Sequence, residues 1–79
     1  MEIYPNPTDG MVNVQYNLPE MMSSTLRVIS LTGEVLEIIH MDPAERVKAV
    51  LELHDLSAGL YLLEIEVDQQ KTYKRITVK

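Results

Sequence analysis

Apolar and polar residues alternate along most of this 79-residue chain, with the two-residue period of a strand that buries one face. The alternation is cleanest over 61–67. One face of this stretch holds Tyr61, Leu63, Ile65 and Val67, and the other holds Leu62, Glu64 and Glu66. The same kind of pattern predicts further short strands over 3–4, 11–16, 25–31, 34–40, 46–53 and 71–78. No segment keeps the 3.6-residue period of an amphipathic helix.

Turn signals separate the predicted strands. Pro5-Asn6-Pro7 stiffens the chain before the turn at Asp9-Gly10, and Gly33 marks another reversal. We expect 17–24 to be a connection and 41–45 to be a second loop. The fold class that follows is all-β, an immunoglobulin-like β-sandwich of about seven short antiparallel strands, with a small open barrel as the alternative.

The residues before the cleanest strand have the spacing of a tyrosine corner, Leu56-x-x-Gly59-x-Tyr61. In such a corner the chain crosses between the sheets of a sandwich, and the tyrosine hydroxyl bonds to the backbone a few residues upstream. Gly59 suits the crossing because a residue without a Cβ adopts a positive φ at little cost. We expect the rest of the fold to be organised around this corner.

Length and composition set further limits. A chain of 79 residues supports one domain, and the absence of cysteine excludes disulfides and thiolate metal sites. No apolar run approaches the ~20 residues that a membrane span needs. The first residues lack the basic start and apolar core of a signal peptide. We expect either a cytosolic protein or a fragment, residues 1–79, of a larger secreted precursor with its export signal upstream.

The net charge of −5 opposes nucleic-acid binding, and the charge is unevenly distributed. Residues 1–70 hold all 12 acidic residues and three basic ones, a net −9, whereas the last nine positions carry +4. The basic residues there are Lys71, Lys74, Arg75 and Lys79. Two explanations stay open: pairing across strands, for example of Arg75 with Glu64, or an exposed basic end that a partner recognises.

No set of residues indicates catalysis. His54, Asp55 and Ser57 crowd one turn, where Asp and Ser bond local backbone and a hydrolase triad with an oxyanion site does not assemble. His40 and His54 lack a third metal ligand at a recognisable spacing. Calcium at one end of the domain stays open as an alternative to plain turn chemistry for four aspartates, Asp9, Asp42, Asp55 and Asp68. We expect no enzyme, cofactor, metal or small-molecule substrate.

Four motifs occur in a familiar order. They are Ile3-Tyr4-Pro5-Asn6-Pro7 with Asp9-Gly10, the segment 28–35 around Gly33, Asp55-Leu56-Ser57-Ala58-Gly59-Leu60-Tyr61, and the basic ending 74–79. Each motif alone is weak, but together they resemble the C-terminal sorting domain of the type IX secretion system of Bacteroidetes. The resemblance covers nearly the whole chain.

The resemblance implies a function as an address label at the C-terminus of an exported protein. The cargo would reach the periplasm through an N-terminal Sec signal, and the type IX outer-membrane translocon would recognise the folded domain. In many members of the family a surface sortase then cleaves the domain off and joins the cargo to an anionic lipopolysaccharide. The implied partners are thus the translocon and its sortase, and the implied location is secreted or cell surface.

Carried over by position, the resemblance assigns translocon recognition to Gly59, Tyr61, Lys74, Arg75 and Lys79. It makes structural motif residues of Pro5, Asn6, Pro7 and Gly33. Ser30 and Glu34 depart from the family pattern, which often has an aspartate and a basic residue there, so no recognition role is carried over to that hairpin. We expect the last strand to be a sheet edge that accepts a partner strand, with the basic side chains supplying selectivity.

An alternative function is an immunoglobulin-like adhesion or carbohydrate-binding module of an extracellular enzyme. An exposed aromatic platform would favour it, because sugar faces stack on aromatic rings. The tyrosines mostly align with the predicted core faces, and we expect only Tyr73 to point outward.

Overall fold

The computed structural model describes residues 1–79 and is built of five antiparallel β-strands. They are β1 (Glu2–Tyr4), β2 (Met11–Ser30), β3 (Val35–Glu52), β4 (Gly59–Val67) and β5 (Gln70–Val78). The strands form one curled sheet in the order β1-β2-β4-β5, with β3 paired to β2. The all-β class is therefore confirmed. The fold contains no helix able to cross a membrane.

Two long strands replace four of the predicted short ones, so the expected count of seven is wrong. β2 continues through 17–24 and β3 continues through 41–45, where we expected a connection and a loop. Both segments stay extended because they pair with each other as a bent hairpin, with register shifts on either side of Met22. The proline and polar signals in these segments mark a bend in a paired ribbon and not the ends of strands.

The bend gives the curled sheet two layers. In the first layer, the first half of β2 lies between β1 and the second half of β3. In the second layer, the second half of β2 lies between the first half of β3 and β4, and β5 pairs with the far side of β4. The strand order across the second layer is thus β3-β2-β4-β5, which leaves β3 and β5 as its two edges.

One apolar cluster fills the inside of the curl. It contains 12 buried side chains from both layers, Val12, Val14, Tyr16, Leu26, Val28, Val47, Leu51, Leu53, Leu63, Ile65, Ile76 and Val78. The alternation read from the sequence accounts for this set, since inward residues are two apart along each strand. The Tyr16 hydroxyl is paired at 2.6 Å with the buried Ser24 hydroxyl, so the core leaves this polar group satisfied.

Candidate functional site

The motif residues meet at one end of the sheet, which we call the motif end (residues 5–8, 30–34, 57–61 and 76–79). Gly59 pairs with Val78, and Tyr61 lies between Ser30 on one side and Ile76 on the other. Thr8 forms a parallel bridge with Val78, which brings the proline motif to the same place. Four segments that are far apart in the chain are therefore neighbours in the fold.

The hydrogen bond expected of a tyrosine corner is confirmed, with the strands on both sides of the corner belonging to one curled sheet. The Tyr61 hydroxyl donates a hydrogen bond of 2.6 Å to the carbonyl oxygen of Ser57, four residues upstream. Gly59 has a φ of 154° between these two residues, a conformation that other residues rarely adopt. Tyr61 is half-buried and packs against the core cluster. The corner therefore fixes where β4 begins, and with it the position of β5.

Removing the corner hydroxyl in Tyr61→Phe is expected to lower the free energy of unfolding by about 1 kcal/mol, because one hydrogen bond is lost without a change of ring packing. Urea unfolding measures this loss. Tyr4→Phe is the matched control, since the Tyr4 hydroxyl bonds only to the exposed Gln15 side chain. Equal stabilities of the two variants would contradict a structural role for the corner bond.

The Gly33 turn is also built by local hydrogen bonds. The Gly33 N–H donates to the Ser30 carbonyl at 2.9 Å, and the Glu34 N–H donates to the Ser30 hydroxyl at 3.1 Å. Gly33 itself has a φ of 94°. Ser30, which departs from the family pattern, thus has a role in shaping the turn.

Two residues of the proline motif bind the end of β5, and we call Asn6 and Thr8 the N-terminal clamp. The Asn6 side chain donates to the Arg75 carbonyl at 2.9 Å and accepts from the Thr77 N–H at 3.0 Å. The Thr8 N–H donates to the Thr77 carbonyl, and the Lys79 N–H donates to the Thr8 carbonyl, both at 2.9 Å. Four hydrogen bonds therefore cover the outer side of β5 from Arg75 onward.

Sequence reasoning found Asn6 only as a motif residue and missed Thr8, which is fully buried. The available signal was the asparagine between two prolines. Proline has no N–H to donate to a neighbouring strand, so the Asn6 side-chain amide supplies the donor that the flanking prolines lack, and its oxygen accepts as well.

The rest of the β5 edge is open. The clamp bonds to backbone groups of residues 75, 77 and 79 that point away from β4. Backbone groups alternate in direction along an antiparallel strand, so the N–H and C=O groups of Lys71 and Tyr73 also point away from β4. None of the turn or loop hydrogen bonds engages these groups. We call residues 71–74 the open edge; the prediction that the last strand lies at a sheet edge is confirmed.

The basic side chains beside this edge are largely unpaired. Lys74 and Arg75 are exposed and take part in no ion pair, and Lys79 Nζ lies 3.9 Å from Asp9 Oδ1 in an exposed contact. The suggested pairing of Arg75 with Glu64 is wrong. Glu64 lies opposite Tyr73, and Arg75 lies opposite Leu62.

Arg27 takes the acidic partners instead. Its Nη1 lies 2.6 Å from Glu64 Oε1 and 2.7 Å from Glu66 Oε1, and the Tyr73 hydroxyl donates to Glu64 Oε2 at 2.9 Å. The Glu64 side chain is almost fully covered. Burial alone would raise its pKa, but the hydrogen bonds from Tyr73 and Arg27 and the charge of Lys71 outweigh burial and lower the pKa. The cluster ties β2, β4 and β5 together.

Glu64 stabilises the fold in a pH-dependent way, because its pKa is lowered in the folded state. A carboxyl group with a depressed pKa stabilises the fold above its usual pKa of about 4.3, and the contribution is lost as the pH falls through the lower value in the folded state. We expect Glu64→Gln to be less stable than the wild type at neutral pH, with the difference shrinking in acid. Urea unfolding over a pH series measures this.

Tyr73→Phe serves as the partial control, because it removes one of the hydrogen bonds to Glu64 and leaves those from Arg27. Its difference from the wild type should be smaller than that of Glu64→Gln and should shrink over the same pH range. A Glu64→Gln variant whose loss of stability does not change with pH would contradict this assignment.

The remaining candidates for chemistry lie apart. The His54 ring packs against Gly10, where an added Cβ would lie 2.4 Å from His54 Nδ1. No group of three or more His, Cys, Asp or Glu side chains comes together in the structure. Tyr4 is 43% exposed and Tyr73 49%, so the expectation that only Tyr73 points outward is wrong. These two tyrosines lie on strands that do not pair, and no observation favours the carbohydrate-binding alternative.

These features define a small all-β domain that presents a strand edge and free basic side chains. A family model described as "Secretion system C-terminal sorting domain" matches residues 2–79. The chain therefore belongs to this family, the C-terminal sorting domains of the type IX secretion system. A comparison with curated proteins finds no match.

Family membership supports a coarse function. The domain is a C-terminal sorting signal for type IX secretion, in a family that is generally non-catalytic. The family implies an interaction with the type IX machinery and a cargo that is secreted or attached to the cell surface via the outer membrane.

Proposed function

We propose that the type IX outer-membrane translocon recognises the folded domain at the open edge of β5 and at the basic side chains of Lys74, Arg75 and Lys79. The domain, residues 1–79, is in this proposal the sorting signal of a larger secreted precursor. A sortase then removes it and joins the cargo to the cell surface, as the family resemblance implies.

The free outward backbone groups of Lys71 and Tyr73 are the observation that carries the proposal. An edge strand with unpaired N–H and C=O groups accepts an extended partner strand, and the main-chain hydrogen bonds supply affinity. The Arg27–Glu64–Tyr73 hydrogen bonds hold this edge against β4 and β2 of the same layer. A partner strand therefore meets an edge that is already ordered.

Charge supplies selectivity in this proposal. Lys74 and Arg75 are free of ion pairs in a domain with a net charge of −5, so their charges are available to an acidic partner. Gly59 and Tyr61 contribute indirectly, because the corner sets the start of β4 and β5 pairs along the whole of β4. We assign them a positioning role and not a direct contact.

The test is a reporter protein fused to the domain in a host with a type IX system. Neutralising Lys74, Arg75 and Lys79 together to alanine is expected to lower export several-fold, with the reporter retained in the periplasm, because the acidic partner loses its three countercharges. Lys48→Ala is the control, since Lys48 is an exposed basic residue on β3. Undiminished export of a folded triple variant would remove the basic strand from the mechanism.

A second pair of variants tests the backbone of the open edge. Lys71→Pro removes an outward N–H that makes no hydrogen bond within the ladder, which an edge strand tolerates. Lys71→Ala removes the same charge and keeps the N–H. Strand addition predicts a larger loss of export for Lys71→Pro, whereas equal export of the two variants would contradict it. The mass of the exported reporter shows in the same experiment whether the domain has been removed.

A further inference from the structure

The first half of β3, residues 35–41, is the other edge of the second layer, and we call it the β3 edge. It differs from the other sheet edges in having no lysine, arginine or proline; its one charged side chain is that of Glu37. β1 is only three residues long and runs into Pro5, the second half of β3 carries Arg46 and Lys48, and β5 carries lysines and the N-terminal clamp. Residues 35–41 contain no lysine, arginine or proline. Natural proteins usually protect an edge with such residues.

The side chains of the β3 edge are apolar and exposed. Val35 is 45% exposed, Leu36 36% and Ile38 52%. Glu37 lies among them and takes part in no ion pair. An exposed apolar strand with free backbone groups is a surface for strand addition, and its charge is negative.

The ladder pattern fixes which backbone groups of this edge are free. On β5 the outward backbone groups belong to odd-numbered residues, so even-numbered residues such as Lys74 bond to odd-numbered partners on β4 such as Leu63. Even-numbered residues of β4 such as Glu64 then bond to odd-numbered partners on β2 such as Arg27. Even-numbered residues of β2 then point to β3, which agrees with the hydrogen bond from the Ser30 N–H to the Glu34 carbonyl. The free groups of the β3 edge therefore belong to Ile38 and His40, whereas the register shift between Val28 and Ile29 interrupts the alternation at Leu36.

We propose that the open edge of β5 in one copy of the domain pairs with the β3 edge of a second copy, as an antiparallel continuation of the second layer. The two strands run in opposite directions within the layer, and Tyr73, Glu64, Arg27 and Ile38 lie in one row across it. A copy placed flush beside the first brings Tyr73 opposite Ile38. The free groups of residues 71 and 73 then face those of residues 40 and 38, and the pairing ends where the N-terminal clamp covers β5 from Arg75 onward.

The same register matches the charges. Lys74 comes opposite Glu37 at a position without ladder hydrogen bonds, where facing side chains are closest. Both side chains are without an ionic partner within one copy. The basic open edge thus meets the acidic edge of the second layer.

The contact joins two different surfaces, so it does not close into a symmetric pair. An assembly of several copies has a free β5 edge at one end and a free β3 edge at the other, and its size increases with protein concentration. The open edge used here is the one proposed for the translocon, so the two partners compete for it.

The experiment is sedimentation velocity of the 79-residue domain over a wide range of concentration, at low and at high salt. We expect the average mass to rise with concentration and the rise to be weaker at high salt, because the ion pair is exposed. Lys74→Glu and Glu37→Lys should each weaken association by a factor of about 5, and the double variant should recover it because the pair is reversed. Lys48→Glu is the charge-matched control and should associate like the wild type.

Three results would overturn the proposal. The first is a wild-type domain that stays monomeric at every concentration. The second is association that the single reversals leave unchanged, and the third is a double variant that associates no better than either single one. Circular dichroism of each variant confirms that the fold is intact. A further variant, Ile38→Lys, places a charge in the β3 edge and must also block association.

Discussion

Replacing Leu63 with alanine is expected to lower the free energy of unfolding by about 2–5 kcal/mol. Leu63 lies in the middle of β4, is fully buried, and faces the core cluster from a strand that is paired on both sides. The truncation leaves a cavity that the paired backbone cannot collapse to fill. A core of this size supplies only about 3–5 kcal/mol in total, so the variant should be largely unfolded and should not be exported.

Leu60→Ala is the matched control, because Leu60 is on the same strand but is 37% exposed. We expect it to cost clearly less than Leu63→Ala in urea unfolding. A Leu63→Ala domain that unfolds at the wild-type urea concentration would show that the core is not organised around β4.

Replacing Thr8 with valine is expected to cost about 1–3 kcal/mol, although the two side chains have nearly the same shape. The Thr8 hydroxyl accepts from the Gly10 N–H at 3.0 Å and donates to the Met11 carbonyl. Valine leaves both of these groups without their partner, beside a side chain that is itself fully buried. The loss should also loosen the clamp, so the Lys79 amide should exchange its hydrogen faster than in the wild type.

Thr77→Val is the control for this prediction. Thr77 lies on the other side of the clamp, its side chain is exposed, and its backbone groups make the clamp hydrogen bonds. Its stability and its amide exchange should stay close to the wild type. If Thr8→Val also behaves like the wild type, the hydroxyl does not support the clamp.

The corner could be predicted from sequence because its determinants are local. The spacing of Leu56, Gly59 and Tyr61 lies within one turn, and the hydrogen bond from Tyr61 reaches only four residues upstream. The buried apolar residues of β2, β4, β5 and the second half of β3 followed for the same reason, since alternation is a property of neighbouring positions. The exposed basic residues of β5 were also identified, though not their lack of partners.

The long strands and the pairing of Arg27 could not be predicted in this way. Pro19 and Pro43 look like strand ends locally, but pairing between β2 and β3 carries the extended backbone past them. Arg27 meets Glu64 from 37 positions away, through the pairing of β2 with β4. Those contacts depend on which strands become neighbours, and a local pattern carries little information about that choice.

The register of the last hairpin shows how one turn decides a site. The strands predicted over 61–67 and 71–78 leave three residues for the turn, but only Asp68 and Gln69 separate the paired residues Val67 and Gln70, and both have a positive φ. Loop length sets the register of a hairpin, so this tight turn places Tyr73 and not Arg75 opposite Glu64. Arg75 remains free as a result.

The N-terminal clamp means that the basic ending is not a detachable tag. A synthetic peptide that copies residues 71–79 would lack the Asn6 and Thr8 groups that hold Arg75, Thr77 and Lys79 in the native domain. Grafting this signal onto a foreign protein therefore requires both extremities of the domain together. A graft that begins after residue 8 would carry every lysine and arginine of the ending but would leave its final residues frayed.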